Sequence, residues 1–574
     1  MDYKFLAAGL LSAALSLSTN GAGQSQAVDG GELGQTPTWA EAVAAFQKVA
    51  VDHPLARMRE FGTSDVGRPL HLFEFGDADA PLRLMINNAI HPGEPCGVNA
   101  CLALVDSLSA ATLNDPGSFN SNVLIGIIPM YNVGGGLRRN CCTRANQNGP
   151  EAYGFRGNAR NLDLNRDFVK CDSRNALAFN KLIAQWKPDV FVDTHTSNGA
   201  DYAATMTLIA TQPDKLGGPL GTWLKQVQLP RLYAGMKAAG WPMTPYMNTL
   251  GERPEEGIAD FMESPRYSTG FTALHHIIGF TTEAHMLKPF ADRVAATTDF
   301  LQVLLRDISQ HGDALLAARA ASVERCAQAD RWPVAWAIDR EQVDSIYFGG
   351  YTAKKIWSPI SGSARTYYDH DAPFWDSIPY YHTAVPTAEV AIPNAYVVPQ
   401  AWRHVIERLQ ANSVALQRIP RDTTILVEVL HIERHHALER PYEGHHLRTA
   451  DSISASTVSV QLFAGDFIVP TDQPARRYVI ETLEPRATDS FFTWNFFDAC
   501  LQQKEYFSPY VFEATAVELL GDPVLAKEFE SALEQSLAGD SALAQSPRAR
   551  LNWIYQRSPH HEGTADRYPI YRLN

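Results

Sequence analysis

A histidine and a glutamate stand three positions apart in the segment His91-Pro-Gly-Glu94, directly after one apolar run and before another. Imidazole and carboxylate both bind zinc, and a pair this close in the chain can converge on one ion if a third ligand comes from elsewhere. A glutamate in the first turn of a helix also interacts favourably with the helix dipole. The segment is therefore either part of a metal site or a capped helix start.

A second histidine, His195, follows a different apolar run. The carboxyl ends of parallel strands meet at one edge of a sheet, which is where open α/β folds bind their ligands. We therefore expect His91, Glu94 and His195 to converge on one zinc ion per chain. Three protein ligands leave a fourth zinc position for water, which is typical of catalytic sites.

A glutamate ends the last strongly apolar run of the first half of the chain. Glu283 can act as the general base toward a zinc-activated water. The alternative is an ion pair with Lys288, five positions further on. Tyr267, in the segment before this run, can either cover a substrate or pack within its loop.

A polar segment between these motifs carries groups suited to a carboxylate and an oxyanion. Asn165 and Arg166 can grip a substrate carboxylate, because a guanidinium presents a planar fork that matches two oxygens. Asp163 can accept the second ring N–H of a zinc-binding histidine and so hold its ring in place. Arg156 and Arg160 are alternative candidates for stabilising the oxyanion that forms when water attacks a carbonyl.

The elements that must position these groups change in character along the chain. Residues 51–315 alternate apolar strand-like runs with helical patterns, which predicts an α/β domain over 38–315 with a mainly parallel sheet and helices on both faces. Residues 331–574 predict an accessory β-rich module with a helical tail after Gln502. The strands predicted in that module are the β-branched runs 423–430, 457–462, 465–469 and 475–480.

The amino terminus and the cysteines indicate the compartment. A weakly basic start, an apolar run over 5–17 and small residues up to Ala27 are typical of a signal peptide at 1–27, so we expect export to a periplasm or the exterior. No later stretch is expected to span a membrane. Five of the seven cysteines lie between Cys96 and Cys171, which predicts a local disulfide staple in an oxidising compartment.

Length and charge set the remaining limits. A chain of 574 residues is too long for one hydrophobic core, so several domains are expected. The net charge of −14 argues against a nucleic-acid partner, because such binding needs a basic face that displaces phosphate counterions.

These motifs together, in this order, resemble the zinc carboxypeptidases of the carboxypeptidase A family (the funnelins) over roughly residues 38–308. Residues 62–69 look like the early strand motif of that family, and residues 129–135 resemble its Pro-x-x-Asn-Pro-Asp-Gly turn, although Asn-Val-Gly-Gly stands at 132–135. The resemblance implies a mixed, mainly parallel sheet and a peptide substrate with a free C-terminal carboxylate.

The same resemblance implies roles for individual residues. The first metal pair and the third ligand are matched by His91, Glu94 and His195, and the base by Glu283. The carboxylate-binding segment is matched by 163–166. The oxyanion arginine is matched equally by two positions, 156 and 160, and the substrate-covering tyrosine by position alone at Tyr267.

Three alternatives stay open. A zinc amidase or deacylase of the same fold, acting on N-acyl amino acids or cell-wall peptides, would share the metal set and the base. A non-catalytic binding protein could retain a peptidase fold. The histidines of the accessory region could form a second metal site, but in so charged a segment a solvated face is the favoured interpretation; these histidines are His431, His435, His436, His445 and His446.

Overall fold

The computed structural model of this chain describes residues 34–574, with the exception of positions 116, 118, 120, 121, 540 and 541. The predicted signal peptide at 1–27 lies outside the described residues.

Apolar runs such as Val-Leu-Ile-Gly-Ile-Ile at 123–128 are buried along their whole length, as expected for strands covered on both faces. The strands of the first region are β1 (Ala56–Thr63), β2 (Pro69–Phe75), β3 (Leu82–Asn87), β4 (Val123–Ile128), β5 (Val190–Ser197), β6 (Met206–Ala210), β7 (Thr244–Pro245), β8 (Ile258–Ala259) and β9 (Ile278–His285). Eight of them form one mixed sheet in the order β1-β2-β4-β3-β5-β9-β6-β7. Its four central strands, β4, β3, β5 and β9, run parallel.

Helices cover both faces of this sheet, which confirms the predicted fold class. They are α1 (Trp39–Asp52), α2 (Cys96–Asn114), α3 (Val133–Gly136), α4 (Arg174–Trp186), α5 (Pro213–Leu216), α6 (Gly218–Trp223), α7 (Leu229–Ala238), α8 (Ser268–Ala273) and α9 (Phe290–Ala327). Helices α1, α2, α6, α7 and α9 pack on one face, and α4 and α8 on the other. The predicted domain end at residue 315 falls inside α9, which continues to Ala327.

Helix α2 is long enough and apolar enough to cross a bilayer by length and composition alone. This corrects the expectation that no stretch after the amino terminus has that property. Its residues Ala100, Cys101, Leu104 and Val105 are buried in the core beside α9. Burial between a sheet and a second helix is the ordinary environment of a core helix, and it accounts for the apolar composition of α2.

The second region is β-rich with a helical tail, as expected. Its strands are β10 (Arg331–Ile338), β11 (Asp344–Ser358), β12 (Ser363–Tyr381), β13 (Ala384–Ala391), β14 (Ala395–Val398), β15 (Gln417–Arg418), β16 (Thr423–Ala437), β17 (Arg448–Leu462), β18 (Phe467–Pro470) and β19 (Tyr571–Leu573). Its helices are α10 (Arg403–Ala411), α11 (Arg476–Leu483), α12 (Pro509–Leu519), α13 (Pro523–Gly539), α14 (Ala542–Gln545) and α15 (Pro547–Tyr555).

Two long hairpins, β11–β12 and β16–β17, dominate this region. The first adds to β8 of the preceding region through β12, and the second closes the six-stranded sheet β15-β18-β14-β19-β16-β17. The strand predicted at 475–480 is wrong, because this segment lies in α11. Packing into the core and the i,i+4 ion pair between Arg477 and Glu481 outweigh the β propensity of its branched residues.

One hydrophobic core joins the two regions. Aromatic side chains of the first region, including Phe179 and Phe271, belong to the same buried cluster as Tyr478 and Trp494 of the second. His275 stacks on Tyr478 with ring centroids 5.5 Å apart. The two regions therefore share one buried core.

The cysteines differ from expectation. In the part of the chain that the structure describes, the one disulfide joins the neighbours Cys141 and Cys142. The other three cysteines of the predicted staple are free and buried, as is Cys326, while Cys500 is half-buried. The disulfide lies within the predicted stretch but joins adjacent residues, and Cys96, Cys101 and Cys171 serve instead as small apolar side chains within the core.

Candidate active site

The candidate catalytic groups leave the sheet where its central parallel strands end. His91 and Glu94 lie between β3 and α2, His195 is near the end of β5, and Glu283 is near the end of β9. The β5–β9 register places His195 directly beside Glu283. The sheet edge predicted from the strand pattern is thus the edge at which these side chains meet.

His91, Glu94 and His195 form a compact buried cluster whose ligand atoms all lie within 4.8 Å of one another. His91 Nδ1 is buried without a hydrogen-bond partner and lies 3.3 Å from Glu94 Oε1. His195 Nδ1 lies 3.1 Å from Glu94 Oε2. Two imidazoles and one carboxylate are the donor set of many catalytic zinc sites, so these residues fit that ion.

An aspartate oxygen lies close to the Nε2 atom of each histidine of the cluster. Asp163 Oδ1 lies 2.8 Å from His91 Nε2, and Asp193 Oδ2 lies 3.1 Å from His195 Nε2. Such contacts orient the rings of metal-binding histidines. The sequence predicts Asp163 for this position but does not predict Asp193. The i,i+2 spacing of Asp193 and His195 on a strand, which puts both on one face, could have revealed it.

Arg144 is a second residue that the sequence did not reveal. Its Nη1 donates to Glu94 Oε1 over 2.8 Å, and its Nη2 donates to the Thr196 carbonyl over 3.0 Å. Gly93 makes room for it, because a Cβ there would lie 2.8 Å from Arg144 Cδ. Burial opposes charge on Glu94, but the neighbouring Arg144 guanidinium and the His91 ring hold its pKa well below the ordinary value.

The two candidate oxyanion arginines occupy different places. Arg156 lines the cavity in front of the metal cluster, and it donates to Asp163 Oδ2 through Nε over 3.0 Å and to Glu94 Oε1 through Nη1 over 3.3 Å. Arg160 donates instead to the Asp172 carbonyl and lines neither of the two cavities at the site. Of these two arginines, Arg156 is the one that lines the cavity with the metal cluster.

Asn165 and Arg166 lie together on a short 3-10 helix, Leu164–Arg166, that faces the same cavity. The Asp163 side chain caps this helix by accepting from the Asn165 N–H over 2.9 Å. The Ser268 N–H donates to Asn165 Oδ1 over 3.2 Å, which leaves the Asn165 NH₂ group for the cavity. The Arg166 guanidinium lies 4.3 Å from the centre of the Tyr267 ring, so the ring packs against this arginine in a cation–π contact.

Glu283 lines the same cavity, on the strand next to the one that carries His195. Burial raises its pKa to about 7, although the neighbouring His195 acts in the opposite direction. Lys288, the alternative partner, donates to the Tyr202 carbonyl over 2.5 Å and lies 3.5 Å from an oxygen of Asp201. Glu283 is therefore not engaged by that lysine.

The cavity has a volume of about 360 Å³. Beyond the groups already described, its wall is formed by uncharged side chains, including Ile209, Tyr246, Phe261 and Thr281. Burial and the negative charge of Glu283 raise the pKa of Tyr246 to about 12, so its hydroxyl is protonated at neutral pH. Tyr246 carries no sequence signal of its own, because it comes from a loop without a motif.

Comparison with known proteins agrees with this donor set. Residues 43–199, which contain His91, Glu94 and His195, match the model of the zinc carboxypeptidase family. Zinc is the cofactor that this donor set suits.

Curated relatives extend the similarity along the chain. Carboxypeptidase 2 of Trichophyton equinum and that of Trichophyton rubrum are each 21% identical over 425 residues, covering 71% of this chain and 73% of theirs. That share exceeds the part of the chain before Arg331, so the similarity continues into the second region. A metallo-carboxypeptidase from Pseudomonas aeruginosa has a TM-score of 0.37 at 17% identity, covering 48% of this chain and 68% of that one.

Proposed function

We propose that this protein is a zinc metallocarboxypeptidase that removes the C-terminal residue of peptides, because residues 43–199 match the model of the zinc carboxypeptidase family. One observation carries the proposal: a single cavity is lined both by the metal cluster and by Asn165 and Arg166. A carboxylate held by those two side chains would place the last peptide bond of a substrate at the metal.

The proposed mechanism assigns each step to a residue of this chain. When bound, zinc would polarise the scissile carbonyl and acidify a water molecule. Glu283 takes a proton from that water and returns it to the leaving amine, for which a pKa near the working pH is suitable. Arg156 stabilises the oxyanion through a guanidinium edge turned toward the metal cluster.

The walls of the cavity indicate the preferred C-terminal residue. Its acidic lining residues are Glu94 and Glu283, which belong to the metal cluster and the proton-transfer step. The remaining wall contains apolar, aromatic and hydroxyl side chains, such as Ile209, Phe261 and Thr281. A neutral residue is favoured there, since a C-terminal lysine or arginine would lose water without gaining a counter-ion.

Export through the segment 1–27 is part of the proposal. Its support is the apolar run over 5–17 followed by small residues. Sequencing the amino terminus of protein recovered from the producing cells tests it. Cleavage between residues 20 and 30 supports export, and an intact Met1 contradicts it.

The decisive test of the mechanism is Glu283→Gln. The amide cannot take the proton, so we expect kcat to fall by about 10²–10⁴-fold while the zinc content stays at one per chain. Peptide hydrolysis and metal content by mass spectrometry are measured on the same preparation. A variant with full zinc and undiminished kcat excludes Glu283 as the base.

A zinc deacylase is the second candidate, since it would share the cluster and Glu283. Arg166→Ala separates the two when it is assayed on one peptide with a free and with an amidated C-terminus. For a carboxypeptidase, the wild type cleaves only the free form, and Arg166→Ala weakens that cleavage by about 1.5–3 kcal/mol in the transition state. Equal cleavage of both forms by the wild type favours the deacylase.

A further inference from the structure

A loop of the second region lies directly against the carboxylate-binding segment of the first. This docking loop, residues 438–447, joins β16 to β17. Its tip is a tight turn closed by hydrogen bonds between the backbones of Tyr442 and His445. The two residues inside the turn have positive φ, 51° at Glu443 and 83° at Gly444.

The docking loop makes two hydrogen bonds to the segment that carries Asn165 and Arg166. Arg166 Nε donates to the Tyr442 hydroxyl over 2.9 Å. The Asp163 N–H donates to Glu443 Oε2 over 2.8 Å. The 3-10 helix Leu164–Arg166 is thus held at its beginning by Glu443 and at its end by Tyr442.

These contacts leave the Arg166 guanidinium in one orientation. Nε is bound by Tyr442, Nη1 donates to the Asn165 carbonyl over 2.7 Å, and the Tyr267 ring lies under the plane. Nη2 has no hydrogen bond to any described residue and remains for a carboxylate. A guanidinium fixed in this way loses less conformational freedom on binding than one that is free to rotate.

Tyr442 is itself held rigidly. The Arg266 guanidinium lies 5.4 Å from the centre of its ring, and the Trp494 ring is stacked 6.3 Å away. Arg266 is fixed in turn by Asp489, whose Oδ2 accepts from the Arg266 N–H over 2.9 Å. Each of these residues except Arg266 comes from the second region.

The docking loop is also anchored beside its tip. His445 Nε2 lies 2.7 Å from Asp172 Oδ2, and His445 Nδ1 lies 2.6 Å from Asn495 Oδ1. Asp172 belongs to the first region, so His445 contacts that region in addition to Tyr442 and Glu443.

We propose that the second region is a working part of the substrate site, and that Tyr442 is a positioning residue that orients Arg166 for the C-terminal carboxylate of the peptide. The inference rests on the proposed carboxypeptidase function. Tyr442 acts through Arg166 and takes no part in the bond-breaking step.

The first test is Tyr442→Phe, which keeps the ring beside Arg266 and Trp494 and removes only the hydroxyl. We expect KM for a free C-terminal peptide to rise about 5–10-fold with kcat within twofold, and the inhibition constant of the free product amino acid to rise by the same factor. Tyr568→Phe is the matched control, because its hydroxyl donates to the Leu483 carbonyl within the core of the second region. Its KM should equal that of the wild type. An unchanged KM in Tyr442→Phe, or an equal rise in both variants, overturns the inference.

The second test is a double-mutant cycle with Arg166→Ala. If Tyr442 acts through Arg166, Tyr442→Phe adds no further rise in KM once Arg166 is absent. Additive effects would show that Tyr442 acts by another route and would overturn the inference. If Arg166→Ala alone leaves KM unchanged, the carboxylate-binding role fails and with it the proposed function. A strong effect of Arg166→Ala with no effect of Tyr442→Phe contradicts the positioning role alone.

Discussion

Residues 34–330 and residues 331–574 contribute to the same site in different ways. The first region holds the metal cluster and Glu283, which lie within or next to the central parallel strands, and Arg156, which comes from the loop before the 3-10 helix Leu164–Arg166. None of the three residues of the metal cluster comes from the second region, but its docking loop contacts Arg166 and the backbone of Asp163. The candidate metal ligands and Glu283 lie at one sheet edge together with the aspartates that contact the histidines, whereas the segment that carries Arg166 is also contacted from the distant part of the chain.

The second region also shows a contrast within itself. The β16–β17 hairpin connects through a loop that is pinned to the first region, while the tip of the β11–β12 hairpin is solvated, with Ile360 95% exposed. Near its base, the β11–β12 hairpin does contact the first region, where the Ala203 N–H donates to the Gly349 carbonyl over 3.0 Å. The two hairpins are similar in length, but the loop of one contacts the first region and the loop of the other is exposed to solvent.

The largest expected effect concerns the two neighbouring arginines of the first region. Arg156→Ala should lower kcat by about 10²–10³-fold, because the oxyanion loses its charged donor. Arg160→Ala should stay within about threefold of the wild type, since the Arg160 side chain donates to the Asp172 carbonyl and does not line the cavity. Both are measured as kcat on a free C-terminal peptide with zinc content as the control. Similar losses of kcat in both variants would show that a position in the cavity wall does not separate the role of Arg156 from that of Arg160.

The next effect compares two tryptophans of the second region. Trp494 is fully buried in the shared core, so Trp494→Ala should lower the free energy of unfolding by about 3–5 kcal/mol. Trp375 is 54% exposed on β12, and Trp375→Ala should cost less than about 1 kcal/mol. Urea unfolding followed by circular dichroism measures both. If the urea curve of the Trp494→Ala variant shows a separate, earlier transition for the second region, the two regions do not share one cooperative core.

The interface should also respond to acid. Burial lowers the pKa of His275 to about 4, so the folded protein keeps this ring neutral against Tyr478. The unfolded chain binds a proton near pH 6.5, so stability is full above that pH and falls between about 6.5 and 4, by up to about 1.4 kcal/mol per pH unit.

The variant His275→Phe keeps an aromatic ring at this interface and cannot be protonated. We expect its unfolding midpoint to fall less between pH 7.5 and pH 5 than that of the wild type, while both respond equally above pH 7.5. His276 remains in the variant, and burial lowers its pKa as well, so part of the acid response persists. The same acid response in both proteins would exclude His275 as a contributor.

The smallest effect is expected at the solvated hairpin. Trp357 is 69% exposed near the tip of β11. Trp357→Ser should change the free energy of unfolding by no more than about 0.5 kcal/mol and leave KM for short peptides unchanged. A clear rise in KM would show that this hairpin also takes part in substrate binding and would weaken the contrast with the docking loop.

The amino-acid sequence by itself determined the α/β class, the strand ends and the residues placed there. Buried apolar runs predict parallel strands, and a polar residue after such a run must emerge at the sheet edge, so His91, His195 and Glu283 could be found from local pattern alone. The sequence predicts a strand at 475–480 because the branched residues there favour β structure, and the long-range burial that makes this segment helical leaves no local pattern.

Only the tertiary structure decided which groups support the site. Arg144 is 50 positions from Glu94, and Tyr442 and Glu443 are 276 and 280 positions from their partners. Such contacts leave no periodicity in the sequence, because they depend on how separate elements pack around one core. The choice of Arg156 over Arg160 has the same origin, since both are arginines in one loop and only the fold turns one of them toward the metal cluster.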